Sequence, residues 1–175
     1  RVIYYAGWSD KYQQIFSAVN PVASSHFNFS LLEPTGVVAV IAPNESGLLG
    51  LVSTLMPVIV GGNTAVVLAS ESLPLSAVSF AEVLQAGDLP KGVVNILTGF
   101  RKELTTQFAS HMDVNAVIYT DDSADVAREI QVEAARNIKR VISRSGSRWT
   151  SESAQNPYLI RETQETKTTW HPVGN

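Results

Sequence analysis

The chain has 175 residues, a net charge of −3 and no cysteine. That length suits one domain with a substantial core, and 45% hydrophobic against 17% charged residues excludes a disordered chain. The weak negative charge gives no basis for nucleic acid or an acidic membrane surface as partner, and a chain without cysteine has no disulfide, thiolate metal site or thiol nucleophile of its own.

The cysteine count fits the cytoplasm, which is the expected location. The longest apolar stretch, Gly47 to Gly62, is broken by Ser53, Thr54 and Pro57 and falls short of the about 20 apolar residues a membrane span needs. The opening Arg1-Val2-Ile3-Tyr4-Tyr5 lacks the basic-then-apolar layout of a secretion signal. Because residue 1 is not methionine, the chain is expected to be a piece of a longer protein.

Residues 1–33, with Asn20-Pro21 and Ser24-Ser25, are expected to form a helix end followed by an extended arm. From 34 to 146 five β-branched runs recur: Val37–Ile41, Ala65–Leu68, Val93–Leu97, Ala116–Tyr119 and Arg140–Ser143. Each is nearly continuously apolar, the mark of strands covered on both faces. Helical patterns alternate with them, which implies a parallel sheet. Leu48 to Val60 is apolar nearly all round and predicts a buried helix that Pro57 kinks or ends. Leu75, Val78, Ala81 and Leu84 make an i, i+3 stripe with Gly87 as a stop. Leu104 and Phe108 mark a third helix, and Val126, Ile130 and Ala134 a fourth, capped by Asp122 or Ser123. Residues 147–160 are polar and serine-rich and predict a linker. In 161–175 the threonine-rich run predicts a lone strand, which needs a sheet edge in its own chain or a neighbour; the alternative is a disordered end.

Several strings carry a family resemblance. Tyr4-Tyr5-Ala6-Gly7-Trp8-Ser9-Asp10-Lys11, Glu33-Pro34-Thr35-Gly36-Val37-Val38-Ala39-Val40-Ile41-Ala42-Pro43, Val60-Gly61-Gly62-Asn63-Thr64 and Leu89-Pro90-Lys91-Gly92-Val93-Val94-Asn95-Ile96-Leu97-Thr98-Gly99-Phe100 resemble aldehyde dehydrogenases, in the right order, over about Val2 to Arg148. The resemblance implies a Rossmann-like, doubly wound α/β domain of the aldehyde dehydrogenase type, with the family's catalytic domain missing between Arg148 and the tail. Glu165-Thr166-Lys167-Thr168-Thr169-Trp170 resembles the family's C-terminal oligomerisation strand.

Position by position, the resemblance implies a damaged site. Glu45 stands where the family's oxyanion-donating asparagine belongs, and a carboxylate repels the anion it should stabilise; losing one such donor costs about 2.7–4 kcal/mol. A one-residue slip would bring Asn44 into that place; otherwise Asn44 is a turn residue after Pro43. Glu71 keeps the acceptor for the cofactor's ribose or is a solvated carboxylate at a helix start, while Leu68 replaces the family's lysine. Arg101 replaces a glycine, and either meets a phosphate or obstructs the adenine side. Asp121 and Asp122 precede Ser123 where the pyrophosphate would meet a helix N-terminus; two carboxylates there repel it, although Ser123 retains a hydroxyl for a phosphate. Arg144 occupies the general base's place and cannot accept a proton at neutral pH. Arg136, Lys139, Arg140, Arg144 and Arg148 make a basic run that either binds an anion or is a solvated face. His26, His111 and His171 lack metal-ligand spacing.

The losses are similar to those of the degenerate second module of two-module (family 16) aldehyde dehydrogenases. The expectation is therefore a non-catalytic structural or interaction module with no bound cofactor, acting through a protein partner or a homo-oligomer by way of the tail strand Glu162 to Trp170. The alternative is part of an NAD-dependent aldehyde dehydrogenase whose nucleophile and base lie outside this chain; NAD would then bind here if the family site survives.

Overall fold

In a computed structural model, which describes residues 1–174, the N-terminal arm carries two short helices, α1 (Val2–Ala6) and α2 (Tyr12–Phe16), and two strands, β1 (Ala18–Asn20) and β2 (His26–Pro34). Strands and helices then alternate: β3 (Val37–Ile41), α3 (Leu49–Val60), β4 (Thr64–Leu68), α4 (Pro74–Ala86), β5 (Val94–Leu97), α5 (Arg101–Ser110), β6 (Ala116–Tyr119), α6 (Ala124–Ala134) and β7 (Arg140–Ser143). A one-turn helix, α7 (Tyr158–Arg161), precedes the last strand, β8 (Gln164–Pro172).

The five β-branched runs form one parallel sheet in the order β5-β4-β3-β6-β7. Successive side chains of a strand point to opposite faces, and both faces are covered. Val38 and Val40 of β3 pack with Leu51 and Leu55 of α3 and Phe80 of α4. Ala39 and Ile41 pack with Phe108 of α5 and Ile130 of α6. This is the doubly wound α/β arrangement expected from the sequence.

Helix α3 is buried from Gly50 to Val58 and continues past Pro57 to Val60 rather than ending there. Gly50 is required by close approach: a Cβ on it would lie 2.2 Å from Cγ of Pro43 in the loop after β3. Helix α4 corrects the expected stripe. Its buried side chains are Ala77 and Phe80, with Leu84 partly buried, while Leu75 is 79% and Val78 45% exposed. The aromatic ring of Phe80 offers more apolar area to the sheet than Leu75 or Val78, and it sets the helix rotation.

The tail is an ordered strand. β8 pairs antiparallel along the whole of β2, from His26↔Pro172 to Pro34↔Gln164, in a three-stranded sheet of order β1-β2-β8. The edge it finds is in its own chain. Residue 175 of the expected tail segment lies outside the described residues. Asn63, 2% exposed, ties this sheet to the domain. Its Oδ1 accepts from the Gly36 amide at 2.9 Å, and its Nδ2 donates to the carbonyls of Val58 at 3.2 Å and Thr163 at 3.0 Å. Gln164 donates to the Gly61 carbonyl at 2.8 Å.

Candidate functional site

Open α/β sheets hold ligands outside the carboxyl ends of their strands, where the strand order reverses. Here that point lies between β3 and β6, so the loops after β3, β4, β5, β6 and β7 frame the crevice. Asn44, Glu45, Glu71, Arg101, Asp121, Asp122, Ser123 and Arg144 lie on these loops or just beyond them, whereas Arg136, Lys139, Arg140 and the three histidines lie away from them.

Arg101 spans the reversal point. Its guanidinium donates to the Ala42 carbonyl at the end of β3 and pairs with Asp121 at the end of β6, Nη1 to Oδ2 at 3.2 Å. Its side chain is only 13% exposed. Arg101 is also the first residue of α5, and its amide donates to Glu71 Oε2 at 2.9 Å. Glu71 thus satisfies one of the free N–H groups of that helix. Asn44 is a bracket between two loops: its Oδ1 accepts from the Glu71 amide at 2.9 Å, and its carbonyl accepts from the hydroxyls of Ser70 at 3.0 Å and Ser72 at 2.9 Å.

The start of α6 is likewise occupied by its own side chains. Asp121 Oδ1 accepts from the Ser123 amide at 2.8 Å, and Ser123 Oγ accepts from the Val126 amide at 3.4 Å. Asp122 Oδ1 accepts from the Gly146 amide at 2.6 Å. Ser123 is the N-cap of α6. Because the capping bond is long, Ser123→Ala is expected to cost about 0.5–1 kcal/mol, the lower part of the range for such caps, read as a shift of the urea midpoint with unchanged slope.

Glu45 accepts a hydrogen bond from Trp149 Nε1 at 2.7 Å. Trp149 is 8% exposed, although it lies in the stretch expected to be a linker. The sequence signal for its role was a single tryptophan in an otherwise polar run. Arg144 turns away from proton chemistry and pairs with Glu162, Nη2 to Oε2 at 2.6 Å. Burial pulls the Arg144 guanidinium below its usual value and pushes the Glu162 carboxyl above its own, each partly opposed by the other's charge.

The basic run is largely dispersed among internal partners. Arg136 pairs with Glu133 at 3.0 Å and Arg140 with Glu165 at 2.7 Å, and Lys139 donates to the His111 carbonyl and to Asn137 Oδ1. A cavity of about 250 Å³ lies between α5 and α6, lined by Ile41, Arg101, Thr105, Tyr119, Asp121 and Ile130 among others. Among the described residues, no three His, Asp or Glu side chains are grouped to hold a metal, and no helix is long and apolar enough to cross a membrane.

A retained dinucleotide would need positive potential and free N–H groups at the reversal point. Asp121 and Asp122 place two carboxylates there, and the Arg101 guanidinium lies between the ends of β3 and β6.

The profile of the aldehyde dehydrogenase family matches residues 1–150. The chain is 36% identical over 158 residues to cytosolic aldehyde dehydrogenase 1 of Elephantulus edwardii, covering 90% of this chain and 29% of that protein. It is 37% identical over 146 residues to the mitochondrial aldehyde dehydrogenase of Homo sapiens, covering 83% and 28%. The structure of PnpE from Pseudomonas sp. WBC-3 aligns with a TM-score of 0.77 at 32% identity, over 82% of this chain and 29% of that one. PnpE has also been solved in complex with nicotinamide adenine dinucleotide. The chain thus spans under a third of the length of these relatives. A family profile matched over most of the chain, and a shared fold at this identity, lead to one conclusion: the chain belongs to the aldehyde dehydrogenase family.

Proposed function

We propose that this chain is a non-catalytic aldehyde dehydrogenase module with a structural or protein-interaction role, of the kind found as the second module of the two-module (family 16) enzymes. The observation that carries it is Arg101. Its guanidinium lies between the ends of β3 and β6, bonded to Ala42 and Asp121, where a cofactor would lie. Arg144 at the base position is committed to Glu162, and the chain has no thiol. No cofactor is needed for such a role, and the cytoplasm, where thiols stay reduced, is its setting.

The outer edge of β8 supports a protein partner or a second copy of the chain. It is a nine-residue strand without proline before Pro172, whereas the opposite edge, β1, has three residues and is followed by Pro21. A long flat edge is a template for pairing with another strand.

The test is thermal unfolding with and without millimolar NAD. Ligand at about 100 times its dissociation constant adds about 2.7 kcal/mol, which moves the midpoint of a chain this long by roughly 5–10 °C. A sharp transition that NAD leaves unmoved is expected. An upward shift would overturn this proposal and favour the second reading, a piece of an NAD-dependent enzyme that oxidises an aldehyde to a carboxylic acid with nucleophile and base outside these residues. The observation favouring that reading is that PnpE, which shares this fold, forms an NAD complex.

A further inference from the structure

We propose that β8 pairs with β8 of a second copy of the chain about a two-fold axis through Thr168, joining two three-stranded sheets into one. β8 is the outer strand of its sheet, and its nine residues pair with β2 in one unbroken register. Antiparallel strands alternate residues whose main-chain groups face the neighbour with residues whose groups face away. The phase is set by the bonds just beyond the two ends, from the Val173 amide to the Ser25 carbonyl at 3.0 Å and from the Thr35 amide to the Thr163 carbonyl at 3.1 Å. Glu165, Lys167, Thr169 and His171 therefore direct their main-chain groups at β2. Gln164, Thr166, Thr168 and Trp170 hold their N–H and C=O groups out to the open edge, with the Pro172 carbonyl in line.

Such a row fits a copy of itself in few registers. A two-fold axis between residues sets outward groups against inward ones and forms no ladder. An axis at Lys167 sets that cation against itself, which is destabilising. An axis at Thr166 leaves Thr169 to Pro172 unpaired, and one at Thr169 leaves Gln164 and Glu165 unpaired. The axis at Thr168 uses the whole strand. Thr168 faces the partner's Thr168, Thr166 faces the partner's Trp170, and the Gln164 amide faces the partner's Pro172 carbonyl. Glu165 meets the partner's His171 and Lys167 the partner's Thr169, so no like charges stand opposite each other.

Two further features favour this register. The α/β body is tied to the Gln164 end of the strand, through Gln164 to Gly61 and Asn63 to Thr163. The axis at Thr168 puts the two bodies at opposite ends, about 27 Å apart along strands that rise about 3.4 Å per residue. A side-chain ladder also crosses the sheet: Asn20 Nδ2 donates to Ser30 Oγ at 2.8 Å, and Ser30 Oγ lies 2.8 Å from Thr168 Oγ1. It stops at the open edge, where the partner's Thr168 continues it. Lysine on an edge strand ordinarily guards it against pairing, but Lys167 is bonded to Glu33 at 2.9 Å and Glu165 to Arg140 at 2.7 Å. One strand from each copy makes a small contact, below about 1,200 Å², so association depends on concentration. The proposal rests on the reading of this chain as an interaction module and names a second copy as the partner.

The chain has no cysteine, so single thiols read the register. Thr168 is exposed, and in the pair it meets itself at about 5.5 Å between Cα atoms, within reach of a disulfide. Under mild oxidation Thr168→Cys should crosslink at least tenfold faster than Thr166→Cys or Thr169→Cys. Thr168→Pro removes the central outward N–H without touching a bond to β2, and should abolish the dimer seen by sedimentation velocity. Thr168→Lys keeps that N–H but sets two cations together; it should weaken the dimer at least tenfold at low salt, and added salt should restore part of the loss. In the concentrated parent chain, the amides of Thr166, Thr168 and Trp170 should exchange at least tenfold more slowly than in the dilute one.

A chain that stays monomeric up to millimolar concentration would overturn the proposal. So would a dimer that Thr168→Lys leaves unchanged, or fastest crosslinking at position 166 or 169, which would mean another register. Should Thr168→Pro not fold, crosslinking and the lysine variant still decide the matter. None of these readouts involves NAD, so an NAD-shifted melt would overturn the non-catalytic reading and leave the strand pairing to be decided by crosslinking.

Discussion

Replacing Asn63 by leucine is expected to destabilise the fold by about 2–5 kcal/mol, because each buried polar group left without a partner costs about 1–3 kcal/mol. The side chain is 2% exposed and serves the Gly36 amide and the Val58 and Thr163 carbonyls at once. Leucine keeps the branching of asparagine but is bulkier, so the loss combines missing hydrogen bonds with overpacking of a buried site. For a chain of this length the midpoint of thermal unfolding should fall by roughly 5–15 °C. The three partners belong to the start of β3, the end of α3 and the residue before β8, so the variant should also loosen the tail, seen as faster amide exchange along β8. A loss below about 1 kcal/mol would mean that water replaces the side chain and that Asn63 does not anchor the tail.

The second large effect is at Arg144 and Glu162. Arg144→Met leaves a carboxylate that is 38% exposed without its cation. Breaking a fully buried pair costs about 3–5 kcal/mol, and partial exposure should reduce this to about 1–3 kcal/mol. The double variant Arg144→Met, Glu162→Met should recover most of that loss, since apolar side chains avoid the desolvation that shifts both groups. Chemical denaturation of the two single variants and the double variant completes the cycle; a double variant as unstable as the worse single one would overturn the account.

The pH dependence has a definite sign. Burial raises the Glu162 carboxyl in the folded chain, so the folded state holds that proton more firmly than the unfolded one. The contribution is present in acid and is lost as pH rises through the raised folded-state value. Glu162→Gln should flatten that part of the stability curve.

The five strands were legible because strands buried on both faces leave a continuous β-branched run, and Val38, Val40, Val67 and Ile118 are all essentially inaccessible. The register of α4 was not. Leu75, Val78, Ala81 and Leu84 and the true face around Ala77, Phe80, Ala81 and Leu84 share two members, and only packing against the sheet chooses between them. At the crevice, the replacement of functional residue types was visible in the chain. What the replacements bond to was not: Glu71 reaches the Arg101 amide, Arg101 reaches Asp121, and Glu45 reaches Trp149. Such partners are far apart in sequence, and no local spacing encodes them. The basic run illustrates the same limit, since a row of cations on paper becomes separate ion pairs once Glu133, Glu162 and Glu165 are brought alongside.

The pairing of β2 with β8 joins residues such as Ser30 and Thr168, which lie 138 positions apart. Closing so large a loop brings an entropic cost before any contact rewards it. The parallel sheet closes shorter loops, its widest pairing joining β3 to β6 at Val38 and Ala116. During synthesis the whole α/β unit therefore has its sequence available while β2 still presents a bare edge beside β1. For that interval β2 is the segment most open to a wrong partner, and the arrival of residues 164–172 covers that edge and leaves β8 as the outer strand.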